Sequence, residues 1–222
     1  MPEIIREIEN RRMTINTNSS AADAVGTLSA DKDVDISGFC AGQFTMLDLA
    51  EAILFQLKPG AVVDVATWSI GERDTDRVLA HVQTGRIKSV RFMLDSSLRK
   101  RSPKQYEMLV SRLGSDRLRI TRTHAKFFLI SDGDIHVVLR GSLNMTENNK
   151  LEQFDISTGW PLYAFYQDVV DRYFETTEPD RLSDRDHEIN AEFRTACQDL
   201  DTASEFDGKI PFGGGLDEFI SG

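Results

Sequence analysis

Cysteine is almost absent: Cys40 and Cys197 are the only two in 222 residues. Two cannot build a disulfide framework, and neither sits in a C-x-x-C pair with metal-ligand spacing. Reduced thiols are the expected state. No apolar run approaches the roughly 20 residues of a membrane span. The N-terminal stretch MPEIIREIENRRMTINTNSS also lacks the apolar run of a secretory signal. A soluble, cytoplasmic protein without membrane association is therefore expected. Positive charge is in deficit as well. Lys and Arg number 26 against 36 Asp and Glu, a net charge of -10, which disfavours unspecific attraction to polyanions by the chain as a whole.

What remains is ordinary for a globular protein, 40% hydrophobic and 28% charged. The length suits one α/β domain with a substantial core. Residues 1–33 read as a polar N-terminal arm with a short helix at Glu3–Arg12. A core pattern then begins. Val34–Cys40 predicts a strand, and Thr45–Leu57 a helix ended by Pro59-Gly60. Ala61–Ile70 is a buried strand, Asp74–Thr84 a helix, Ser89–Asp95 a strand and Pro103–Leu113 a helix closed by Gly114. This alternation implies crossover units. The rhythm then changes to strands at Arg117–Thr121, Ala125–Ser131 and Ile135–Arg140, the last two joined by an Asp132-Gly133-Asp134 turn. Gln153–Thr158 is a further strand and Leu162–Thr176 an amphipathic helix. The expected class is α/β, a mixed and mostly parallel sheet flanked by helices over residues 34–178. Residues 179–222 form an acidic extension, with a helix at Leu182–Leu200 and a flexible tail from Thr202.

Chemistry concentrates in Thr123–Ile156, THAKFFLISDGDIHVVLRGSLNMTENNKLEQFDI. Placed on a strand, His124 and Lys126 share one face, because side chains alternate. A histidine beside a lysine is an anion site containing a nucleophile. Gly141 permits close backbone approach, and Ser142 and Asn144 offer neutral hydrogen bonds. A neutral imidazole can displace an alkoxide from phosphorus. Lys126 and the Asn144 amide can stabilise charge on the non-bridging oxygens, and Glu152 can hold the imidazole by its other N–H. No metal and no cofactor are expected.

The H-x-K, G-S-x-N and downstream Glu resemble the signature of the phospholipase D superfamily, over about thirty residues. The branch most resembled is that of small nucleases and metal-independent restriction endonucleases with one such motif per chain. The resemblance implies a phospholipase D-like fold. It makes His124 the nucleophile, Lys126 the phosphate-binding lysine, Ser142 and Asn144 the polar pair, and Glu152 the downstream carboxylate. The motif's aspartate departs from the pattern: Ser131 stands in its place and Asp132 follows one residue later. One motif is half a site, since a second histidine must protonate the leaving group. His81, His136 and His187 have no lysine two residues on. The resemblance thus implies a homodimer with two facing copies of His124.

Between Arg86 and Lys126 lie twelve Lys or Arg against three carboxylates. Such a basic belt suits a phosphate backbone. Arg99, Lys100 and Arg101, expected in a loop, and Arg122 are the candidate substrate contacts, with Gly141. Trp68 and Trp160 both read as core or rim aromatics, with Trp160 the better stacking candidate of the two. The leading expectation is a metal-independent nuclease acting on DNA or RNA. A phospholipid phosphodiesterase or phosphatidyl transferase, and an inactive nucleic-acid-binding module, stay open. The acidic tail reads as a disordered solubilising segment, with a docking peptide for a protein partner as the alternative.

Overall fold

The computed structural model describes residues 5–8, 11–14, 20–147 and 149–179. In chain order the elements are β1 (Ile5–Ile8), β2 (Arg11–Thr14), α1 (Ala21–Val25), β3 (Asp35–Cys40), α2 (Met46–Gln56), β4 (Ala61–Thr67), α3 (Glu72–Gln83) and β5 (Ile87–Asp95). Then come α4 (Leu98–Arg101), α5 (Pro103–Leu113), a 3-10 turn (Ser115–Arg117), β6 (Leu118–Thr121), β7 (Phe127–Ser131), β8 (His136–Gly141), β9 (Glu152–Thr158) and α6 (Trp160–Thr176). The helix and tail expected after Leu182 lie outside the described residues.

Local chemistry explains the boundaries. Thr45 caps α2 by accepting from the Asp48 N–H at 3.2 Å, while the Asp48 carboxylate accepts from the Thr45 N–H at 2.7 Å, a reciprocal capping box. Pro103 opens α5, where its missing N–H costs nothing, and Gly114 at φ +87 ends it.

All nine strands join one sheet in the order β1-β2-β3-β9-β8-β7-β4-β5-β6. The α/β class and the mixed sheet flanked by helices are as expected, but the balance differs. Only β2–β3, β4–β5 and β5–β6 pair in parallel; the other five pairings are antiparallel. Connections this short between β7, β8 and β9 cannot make parallel crossovers, which need a dozen or more residues. The expected helix at Glu3–Arg12 is also not formed. Ile5–Ile8 and Arg11–Thr14 make an antiparallel pair, and β2 adds to the edge of β3. Edge pairing overrides the weak helical spacing there.

The two faces of the sheet differ. Phe128, Ile130, Val137, Leu139, Phe154 and Ile156 belong to the main core, with Leu49 and Ile53 of α2 and Leu109 of α5. The alternate residues face α6, where Phe127 meets Tyr166 edge-on at 5.1 Å. This second layer is partly ionic. Asp64, 1% exposed, receives two hydrogen bonds from Arg91 at 2.6 and 2.8 Å. Arg91 also reaches Asp171 of α6 at 2.7 Å, and both Arg91 and Arg119 lie against the Phe174 ring. Two members of the basic belt therefore serve to dock α6. Removing one partner strands a buried charge. Arg91→Met is expected to destabilise the protein by about 3–5 kcal/mol in urea unfolding, with Asp64→Leu added to it restoring part of the loss.

Candidate active site

Strand directions bring the chemistry to one edge. The C-terminal ends of β3, β4, β5, β6 and β8 and the starts of β7 and β9 lie together there, as the registers Ala66↔Phe127, Asp95↔Thr121, Phe127↔Arg140, Gly141↔Phe154 and Cys40↔Glu152 require. This is where open α/β sheets hold ligands.

His124 and Lys126 occupy the extended link between β6 and β7 rather than β7 itself, which begins at Phe127. The strand expected from Ala125 is shortened: the Lys126 carbonyl accepts from the Gly141 N–H at 3.3 Å, but the Ala125 N–H turns to the Thr123 hydroxyl at 3.0 Å. His124 is exposed and Lys126 half-buried. Lys126 Nζ sits 3.4 Å from His124 Nδ1 and donates to the His124 carbonyl at 3.2 Å. Burial pushes the Lys126 ammonium below the ordinary lysine range, and the charge of Glu152 opposes that shift.

The G-S-x-N segment follows directly from β8. A Cβ on Gly141 would lie 2.3 Å from the Gln153 carbonyl oxygen, so glycine is needed for β9 to approach. The reading of Gly141 as room for a ligand is thus replaced by room for a strand. Ser142 donates its N–H to that carbonyl at 3.1 Å, and its Oγ accepts from the Gln153 N–H at 3.0 Å. Asn144 is fixed by its buried neighbours Leu143 and Met145 and by its carbonyl, which accepts from Met46 N–H of α2 at 3.2 Å. Among the described residues its buried Oδ1 has no hydrogen-bond partner. A polar atom left so is one that an incoming donor would satisfy. Glu152 opens β9 opposite Cys40.

The other expected residues divide. Arg99, Lys100, Arg101 and Arg122 are exposed at this same edge, the first three in α4 rather than in a loop. Arg99 lies over the Tyr106 ring at 5.3 Å. Trp160 is elsewhere. It packs on His136 and Tyr163, with ring centroids 4.9 and 6.0 Å away. His136 starts β8 at the end opposite Gly141, about 17 Å along the strand. Asp132 is at that far end too. Burial would raise its carboxyl, but N–H donors from Ile135, Lys58 and Asp134 and the Lys58 charge hold it below the usual range. It caps the β7–β8 turn, while Ser131 bonds the His136 ring at 2.8 Å. Two residues escaped the sequence reading. Trp68, just past β4, has its ring 6.0 Å from that of His124. Thr121, which ends β6, has a buried Oγ1 with no hydrogen-bond partner among the described residues. Both follow from asking which residues leave the sheet at this edge.

A half-buried ammonium against an exposed imidazole, at an edge that also carries Ser142 and Asn144, can bind a tetrahedral anion and attack it. No protein-family profile matches the chain, and no curated protein does. Among solved structures, Nuc from Salmonella typhimurium, a phospholipase D family member, matches at 12% identity and TM-score 0.48, over 68% of this chain and 99% of its own. NucT from Helicobacter pylori matches at 14% identity and TM-score 0.50, over 67% and 99%. The chain shares its phospholipase D-like fold with NucT. TrmBL2, an archaeal chromatin protein, matches at 14% identity and TM-score 0.45, over 64% of this chain and 53% of its own. The described residues hold no group of three or more His, Cys, Asp or Glu able to hold a metal ion.

The Lys126–Glu152 coupling has a definite sign. Glu152 raises the lysine's affinity for its proton, so Glu152→Gln is expected to move Lys126 further below the ordinary lysine range. Phosphate-analogue binding should then fail at lower pH on the alkaline side. Titration of the Lys126 side chain by NMR reads the shift directly, and an upward move would contradict the coupling.

Proposed function

We propose that this protein is a phosphodiester hydrolase acting on nucleic acid, working without a metal ion through a phosphohistidine at His124. The observation that carries this reading is the meeting of His124 and Lys126 at 3.4 Å, at the sheet edge where β8 runs on into Ser142 and Asn144 and β9 opens at Glu152. A neutral imidazole nitrogen attacks phosphorus, the P–N bond forms, and the P–O bond to the leaving group breaks. The departing oxygen takes a proton from a general acid. Water then attacks the phosphohistidine, cleaves P–N and gives a proton back to the same group. Lys126 and the Asn144 amide stabilise the equatorial oxygens, where a low-dielectric setting strengthens them. The charge of Glu152 favours the protonated form of Lys126 against the opposing effect of burial.

The general acid is the His124 of a second copy, so the working unit is a homodimer. Leu151 and Phe39 support this: they are 72% and 44% exposed and lie beside Glu152 and at the end of β3, giving the site an apolar rim. Nucleic acid is favoured over a lipid by the exposed Arg99, Lys100, Arg101 and Arg122 along the same edge. No helix among the described residues is long and apolar enough to cross a membrane. The catalytic unit on this reading is residues 34–178; β2 of the preceding segment pairs with the edge of β3, and Ala24, Val25 and Leu28 join its core.

Two measurements test it. Oligonucleotide cleavage in EDTA should proceed with the unaltered protein and fall by at least about 1,000-fold in His124→Ala; equal rates would overturn the mechanism. In sedimentation, the protein should run as a dimer of 25.0 kDa subunits, and Leu151→Glu should shift it to monomer with parallel loss of cleavage. Full activity in a monomeric variant would overturn the shared site.

A further inference from the structure

Trp68 is held with unusual care for a residue outside any element. Its turn is tied on both sides: Thr67 Oγ1 donates to the Ser69 carbonyl at 2.8 Å, and the Ser69 N–H donates back to that hydroxyl at 3.3 Å. Arg101 then covers the indole. Its guanidinium carbon lies 3.6 Å from the ring centroid, and its Nη2 donates to the Trp68 carbonyl at 2.6 Å. Arg101 is itself anchored, with Nε donating to Ser97 Oγ at 3.0 Å. Ser97 is fixed in turn by the Asp95 carboxylate at the end of β5, which its N–H and hydroxyl both reach. The result is a cation–indole stack at the active edge, with His124 6.0 Å from the indole and its ring tilted by 52°.

An arginine that clamps phosphate presents its fork outward for bidentate contact. Arg101 instead spends Nε and Nη2 on the protein and lays its plane on an aromatic ring. Stacked guanidinium and indole surfaces are what unpaired bases bind. A quaternary ammonium headgroup also favours an indole face, but here the ring already carries the Arg101 cation and Lys126 stands beside His124, so a second cation is repelled. We infer that Trp68 and Arg101 form a stacking platform for the nucleobase adjoining the scissile phosphate, which makes unpaired single strands the preferred substrate. In a duplex the bases are occupied by each other and must be unstacked first. This rests on the nucleic-acid reading above, and the same platform would define its strandedness.

The chain has two tryptophans, and Trp160 lies at the far end of the sheet. In a Trp160→Phe, His124→Asn protein, emission therefore reports Trp68 while cleavage is blocked. Three ligands of equal length are compared: a single-stranded oligothymidylate, its duplex, and a single-stranded abasic phosphodiester chain. Binding is followed by anisotropy of an end label and stacking by quenching of Trp68. The expected result is quenching by the oligothymidylate, none by the abasic chain, and about tenfold tighter binding of the former. Trp68→Leu should remove that tenfold difference and leave abasic binding unchanged, which also shows that the variant is folded. Equal affinities with unquenched emission would overturn the platform but leave the nucleic-acid reading standing. Failure of all three ligands to bind would overturn both.

Discussion

The Gly141 N–H donates to the Lys126 carbonyl, and one residue later the Ser142 N–H donates to the Gln153 carbonyl. These two bonds extend the β7–β8 and β8–β9 ladders past their formal ends and set the register of the site. A slip of one residue would turn every side chain to the other face. Lys126, Ser142 and Glu152 would then no longer share an edge. Gly141 makes the register affordable, since any Cβ there would collide with the β9 backbone. The glycine matters to function because it lets two strands close, and a large buried core on one face and α6 on the other keep them closed.

Much of this was legible beforehand. The bounds of α5, the capping threonine of α2 and the Asp132-Gly133-Asp134 turn follow from rules that act over a few residues. The approach of His124 to Lys126 was legible for a different reason: two residues apart on an extended segment, their side chains fall on one face. Non-local features were not legible. β1 and β2 form because β3 offers an edge, and nothing in Ile5–Thr14 announces that edge. Trp160 follows β9 closely in sequence, yet β9 runs away from the site, so proximity in sequence became distance in space. Trp68 continues the apolar run of β4 and reads as core until the neighbouring strand ends are known.

Charge shows the same dependence on tertiary structure. The belt between Arg86 and Lys126 is one block in sequence but is dispersed in space: Arg86 reaches the Leu57 carbonyl and Arg117 the Ser89 hydroxyl. Arg91 and Arg119 are drawn under α6, Arg101 is spent on an indole, and Arg99, Lys100 and Arg122 face the active edge. On the proposed mechanism Lys126 acts on the reacting group, and its partial burial weakens its hold on a proton while strengthening its attraction for an anion. Within an overall charge of -10, Arg99, Lys100, Arg122 and Lys126 still place positive charge where the strands end.

The central claim is a covalent intermediate on one side chain. Rapid acid-free quenching of the unaltered protein with a 5′-labelled or 3′-labelled oligonucleotide, followed by peptide mapping under alkaline conditions, tests it most directly. The account predicts a single nucleotidyl adduct, stable to base and labile to acid, on the peptide that contains His124. An adduct on Ser142, or steady cleavage with no adduct at any time, would contradict it.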